Sequence, residues 1–442
     1  MSHLPRLAVG SIHSGAHAEF VVWGLLRLLQ RHGVQVQHFY SHATFMPLDG
    51  ARVATGLRSR HLDSWLMSPE VCRYLLAQCS GKCDLAVVEG SFGAPASGYL
   101  SPCSRLDELS RWLRLPRVGV VDVRQLDRCQ VPLPGTVDAV LLAGLESPRQ
   151  MAYWQTVLEP LWGCPVLGGM QAMDRLFGRL SALPLGYKPA AEHCEQLAQA
   201  MARFTSVDRV FRFARTAPAL PEESRHGLLS PAGRRVRIAV ACDAAFDCYF
   251  PDTLDLLEQL GAELVPFSPL RDEQLPGGVD VVYLGCGHPE RYARRLSRNC
   301  CMIASLRMFV ATGGKLYAEG GGLAYLCQYL EDLRGRRWNG VGVFRLLARP
   351  RREILPPQPM QLCLERGTWL APSQTVLRGY RNGFWELLPL GSDGRVLECG
   401  CEDVSLVCVH QAVGSTLHLN FAAQAEVLQN FFAPPDEPLF VV

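Results

Sequence analysis

The stretch Lys315-Leu-Tyr-Ala-Glu-Gly-Gly-Gly-Leu-Ala-Tyr-Leu326 decides the fold of the C-terminal half. Its apolar start predicts a buried strand over 315–318, its glycines a tight turn, and its apolar end a helix over 322–330. A strand that turns sharply into a helix is the geometry of a nucleophile elbow. The turn presents its apex residue at the helix N-terminus, where partial positive charge favours a thiolate or an oxyanion. Glycine tolerates the strained backbone angles involved. The apex here is Gly320, which has no side chain with which to attack anything.

Working outward, strands are predicted over 237–241, 263–267 and 280–284, with helices over 252–260 and 296–312 and more antiparallel strands after about residue 334, ending in 415–421. The strand 280–284 runs into Leu284-Gly-Cys-Gly-His-Pro-Glu290, a loop whose Gly285 and Gly287 can aim backbone N–H groups at an oxyanion. His418, within Ser415-Thr-Leu-His-Leu-Asn-Phe421, is placed to face the elbow as a general base. The N-terminal half alternates in the same way, with strands over 5–10, 34–40, 84–89, 117–123 and 138–143 separated by helical stretches. That alternation implies a parallel sheet with right-handed crossovers. Two α/β domains follow, 1–204 and 236–442, joined by a Pro-, Arg- and Glu-rich linker over 205–235.

Composition narrows the class. Of 442 residues, 48% are apolar and 19% charged, as in packed domains. A formal net charge of +2 gives no electrostatic ground for nucleic acid or an anionic membrane as partner. The apolar run 20–29 is broken by Gly24 and Arg27 and cannot span a bilayer. No secretory signal is visible, and the 17 cysteines are scattered with no C-x-x-C pair, so reduced thiols in the cytoplasm are expected.

The segments 239–246, 265–272, 283–290 and 317–326 together resemble the glutaminase domain of cobyrinate a,c-diamide synthase, in order over most of 236–432. That resemblance implies an N-terminal P-loop-type domain and a C-terminal class I glutamine amidotransferase-like domain. The activity implied is amidation of two acetate side chains of a corrin precursor, with glutamine and MgATP. In the family the elbow carries a cysteine that forms a glutamyl thioester; Gly320 stands in its place, and His418 matches the family's histidine. Cys286, Cys301 and Cys327 lie nearby in sequence but on other elements.

The family's P-loop aligns with Ser11-Ile-His-Ser-Gly-Ala-His-Ala-Glu-Phe20, where Ser14 and Gly15 match. Ala18 replaces the phosphate-binding lysine, Glu19 the magnesium-binding hydroxyl, and His17 a glycine that lets the backbone approach phosphate. Thr44 stands near a lost aspartate, which leaves Glu89 as the remaining metal-site carboxylate. The expectation is therefore a family member deficient in this catalysis, which binds a tetrapyrrole-like molecule or pairs with an intact paralogue, a dimer being one arrangement. The rivals are an active ATP- and glutamine- or ammonia-dependent amidating enzyme, and a metal- or haem-binding regulator that uses His13, His17 and His42 beside Glu89. Arg378 and Arg381 are candidate contacts for tetrapyrrole carboxylates, against the plainer expectation that 378–386 is a strand pair with a wet face.

Overall fold

The computed structural model describes residues 4–13, 17–45, 48–93, 104–126, 137–183, 188–221, 233–352, 357–381, 383–391 and 406–434. The chain divides into two compact units, Met1–Gly227 and Leu228–Val442.

In the first unit seven strands form one parallel sheet: β1 (Arg6–Ser11), β2 (Val36–Tyr40), β3 (Arg60–His61), β4 (Leu85–Ser91), β5 (Arg117–Asp122), β6 (Ala139–Leu145) and β7 (Val166–Gln171), in the order β3-β2-β4-β1-β5-β6-β7. The central strand β1 lies between β4 and β5, so the connections leave it on both sides and open a crevice at its C-terminal end, where such sheets bind ligands. The helix Ala18–Arg31 starts at that crevice and is buried almost all round, Phe20 to Leu26 included. Strand β7, Val166-Leu-Gly-Gly-Met-Gln171, adds to the five strands expected in this half and carries two adjacent glycines. Its glycines serve close packing: a Cβ on Gly168 would overlap the Thr205 hydroxyl, and one on Gly169 would stand 2.5 Å from Leu142 O.

The stretch expected to begin the linker contains a helix, Val207–Ala214, whose Val210 and Ala214 belong to the first unit's core. The charges that suggested a linker are those of an amphipathic helix, which buries one stripe and leaves the rest to water.

In the second unit β8 (Val236–Ala241), β9 (Ala262–Phe267), β10 (Val281–Leu284) and β11 (Lys315–Glu319) are parallel. Beyond them run β12 (Cys327–Glu331), β13 (Arg337–Asn339), β14 (Phe344–Pro350), β15 (Gln358–Cys363), β16 (Val376–Arg381), β17 (Trp385–Pro389), β18 (Leu406–Val409), β19 (Ala412–Ser415) and β20 (Leu417–His418). The main sheet has the order β18-β19-β11-β10-β8-β9, and two smaller sheets are β13-β12-β14-β17 and β15-β16-β20. The helix expected over 322–330 is short, Gly321–Leu326, because the next residues pair as β12 with β13 and β14. The helix expected over 296–312 breaks at Asn299, whose side chain accepts from the Met302 N–H and caps a second helix, Cys300–Ala311. Strands β16 and β17 join different sheets, so 378–386 is not a strand pair.

Candidate functional site

The elbow exists as expected. Gly320 has φ 53 and ψ −112, a backbone that disfavours any side chain, and it links β11 to the helix Gly321–Leu326. Its N–H donates to Ser415 O at 3.0 Å, which ties the turn to the end of β19. Here β19 ends and β20 begins in another sheet, and that switch brings His418 over the elbow. A Cβ placed on Gly320 would stand 3.2 Å from His418 Nε2.

The elbow is also occupied by a thiol that sequence spacing did not single out. Cys286 projects from the loop after β10, and its Sγ lies 3.2 Å from His418 Nε2. Both residues are buried, at 6% and 2% exposure. Burial lowers the His418 pKa to about 3, so the imidazole is neutral. Burial, and next the charge of Glu319, push the Cys286 thiol up to about 12, against the N–H groups of Gly321 and Gly287, which bond to the sulfur. The pair at neutral pH is therefore a thiol and a neutral imidazole. Glu319, beneath the elbow, is pushed up to about 7 by burial, although Tyr283 donates to it at 2.7 Å.

The two loop glycines differ. The Gly285 N–H donates to the Tyr249 hydroxyl at 2.9 Å and is not free for an oxyanion. Gly287 does turn its N–H into the elbow, onto Cys286. A Cβ at Gly287 would overlap Ala245 O, which is why the loop can approach so closely. Arg378 donates to Gln361 and Arg381 to Gln358 at 2.7 Å, both across the β15–β16 pair.

In the first unit, Ser14 and Gly15 lie outside the described residues. His17 precedes the helix with φ 46, and its ring packs on Phe20 and Phe177. Ala18 is buried as the first helical residue. The half-exposed Glu19 has a raised pKa, first from burial and in part from the charge of Glu89.

Glu89 is engaged by a residue the metal hypothesis left out. His38 Nε2 donates to Glu89 at 2.8 Å, and His38 Nδ1 faces the Ser59 hydroxyl at 3.1 Å. Ser59 in turn donates to Asp49 at 3.0 Å. The alternation of β2 places His38 and Tyr40 on the same side, beside Glu89 of β4.

The expected grouping of His13, His17 and His42 is corrected. His13 accepts from the Asp122 N–H at 3.3 Å, His17 lies 3.9 Å from Glu19, and His42 lies 3.4 Å from the Ser41 hydroxyl. Among the described residues no group of three or more His, Cys, Asp or Glu is placed to hold a metal ion. Neither His13 nor His17 lies within a helix, so the spacing of four in sequence is not a shared helical face. The loop after β2 is organised by the buried Asp63, which accepts from the N–H groups of Ala43, Trp65 and Leu66.

Among the described residues no helix is long and apolar enough to cross a membrane. The CobB/CobQ-like glutamine amidotransferase domain family matches residues 237–380, which include the 285–287 loop and Gly320. The cobyrinate a,c-diamide synthase of Magnetococcus marinus is 31% identical over 80% of this chain and 79% of its own. That of Syntrophotalea carbinolica is 31% identical over 78% of each chain. The Salmonella typhimurium enzyme is 29% identical over 95% of this chain and 96% of its own. With similarity at this level running through both units, the chain belongs to the cobyrinate a,c-diamide synthase family.

Proposed function

We propose that this chain is a family member that hydrolyses neither glutamine nor ATP and instead binds a carboxylate-bearing tetrapyrrole. The observation that carries the first part is Gly320. Acyl-enzyme formation needs a nucleophile at the apex of the elbow, and a hydrogen atom stands there. The neutral, buried state of His418 supports it, since a general base works best with a pKa near the working pH.

The N-terminal crevice argues in the same direction. A nucleoside triphosphate with magnesium does not fit the residues present: a methyl group at Ala18 and a carboxylate at Glu19, itself facing the charge of Glu89, stand at the head of the helix where anionic phosphates would need cations. The tetrapyrrole part rests on family membership, the relatives being named for their action on cobyrinate.

The test combines two measurements on the purified full chain. A cobyrinate-type corrinoid is titrated while its visible absorption is followed, and glutamine and ATP hydrolysis are assayed in parallel. Saturable binding, with hydrolysis at background and an MgATP-induced Tm shift below about 1 °C, is expected. Ammonia release from glutamine that disappears in His418→Ala would overturn the non-hydrolysing part, and absence of a saturable spectral change would overturn the binding part.

A further inference from the structure

Three contacts define where the Cys286 sulfur sits. It lies 3.2 Å from His418 Nε2. The backbone N–H groups of Gly287 and Gly321 bond to it. A Cβ built on Gly320 would overlap it. The first two are the partners an elbow side chain and its developing oxyanion would use: a base on one side and converging N–H donors on the other. The third says that positions 286 and 320 compete for one space. A residue with a Cβ at 320 requires the thiol to leave, and the thiol requires glycine at 320.

Resting on the reading of a non-hydrolysing chain, we infer that Cys286 has taken over the side-chain volume of the elbow, so that its thiol plugs the Gly287/Gly321 donor pair and shuts out a carboxamide substrate. The chemistry suits a plug. The S–H donates to the neutral imidazole nitrogen, and the sulfur accepts weakly from the two N–H groups, so His418 Nε2 and both donors are satisfied without water or ligand. A thiol is small and polarizable enough to fill a space shaped for reacting atoms, where a larger side chain would displace the close-packed glycine loop. Loss of the elbow side chain and filling of its pocket are thus one coupled change.

The coupling is measurable without any activity. Gly320→Ala is made in the wild-type chain and in Cys286→Gly, and the Tm of each full-length protein is recorded. The strain of a positive φ is the same in both backgrounds and cancels in the cycle. The 3.2 Å approach to His418 Nε2 is likewise common to both and cancels, whereas the overlap with the sulfur exists only where Cys286 is present. Gly320→Ala is expected to lower Tm by about 2 to 8 °C more in the wild-type background than in Cys286→Gly. Equal shifts would overturn the inference.

A second arm uses a glutamine-analogue chloroketone as probe and mass spectrometry as readout. The exchanged chain, Cys286→Gly with Gly320→Cys, is expected to be labelled at position 320 and the wild type to remain unlabelled. A folded exchanged chain that resists labelling would overturn the plug. Labelling of wild type at Cys286 would overturn the plug together with the non-hydrolysing reading, whereas equal Tm shifts or a resistant exchanged chain would overturn the inference and leave that reading standing.

Discussion

The heads of two helices invite comparison. At the start of Ala18–Arg31 the chain places ionisable side chains, Glu19 beside Glu89, with Glu89 held by His38 and the line of contacts continuing through Ser59 to Asp49. At the start of Gly321–Leu326 it places a glycine, a thiol and a neutral imidazole. Both positions favour an anion. The first is occupied by carboxylates that need partners of their own, the second by groups that carry no charge at neutral pH. On the reading proposed above, the difference teaches that a pocket can lose its reactive group in two physically distinct ways: by acquiring charge, which must then be paired, or by acquiring a neutral plug, which need only fit.

The largest effect that could break this contrast is chemical. If Cys286 is a plug, it is no nucleophile. With its pKa near 12, only about one thiol in 10⁴ is ionised at pH 8, and access is poor besides. Alkylation by iodoacetamide, followed by peptide mass spectrometry, is expected to be at least about 10³-fold slower at Cys286 than at the exposed Cys300 and Cys301. Comparable rates would remove the contrast.

Next in size is the response to losing a partner. Glu89→Ala strips a buried histidine of its acceptor and is expected to cost about 3 kcal/mol in urea unfolding. Cys286→Ala removes a weak neutral contact and a small volume, at about 1 kcal/mol. A reversed order would show that charge is not what distinguishes the two sites.

The smallest and most discriminating effect is pH dependence. His61, in the first unit, has its pKa lowered from 6.5 to about 3, mainly by burial and then by His42 and His38. Its unfolded form takes up a proton below pH 6.5 that the folded form refuses. The stability it contributes is thus complete above that pH and lost as pH falls toward 3, about 3 kcal/mol by pH 4.5. His42 shifts in the same direction, and Glu19 in the opposite one.

In the second unit His418 behaves as His61 does, but Glu319 opposes it. Its folded pKa of about 7 lies above its unfolded 4.5, so its contribution is complete below 4.5 and lost as pH rises through 7. Between pH 7 and 4.5 the two changes are each about 3 kcal/mol and of opposite sign. Urea unfolding followed separately in each unit is expected to show the first unit weakening on acidification while the second holds nearly constant. Glu319→Gln, which removes the opposing group, is expected to make the second unit acid-sensitive as well.

The sequence by itself determined the alternation of strands and helices, the elbow at Gly320, the family, and the chemical groups missing from the expected catalytic positions. These are local: periodicity, glycine turns and short motifs are carried by neighbours in the chain. It did not show the glycine-bearing strand β7, the helix Val207–Ala214 or the strand β12, since what stabilises each is packing or pairing with distant segments.

Nor did it bring out the two pairs that define the sites. Cys286 and His418 are 132 residues apart, and His38 and Glu89 are 51 apart. The period-two alternation of β2 contained a hint that His38 and Tyr40 share a side, but which carboxylate they met depended on β4 being the neighbour. Tertiary structure alone decided these meetings, because sheet order and strand switching bring together side chains that no local pattern relates, and burial among them sets which groups are charged.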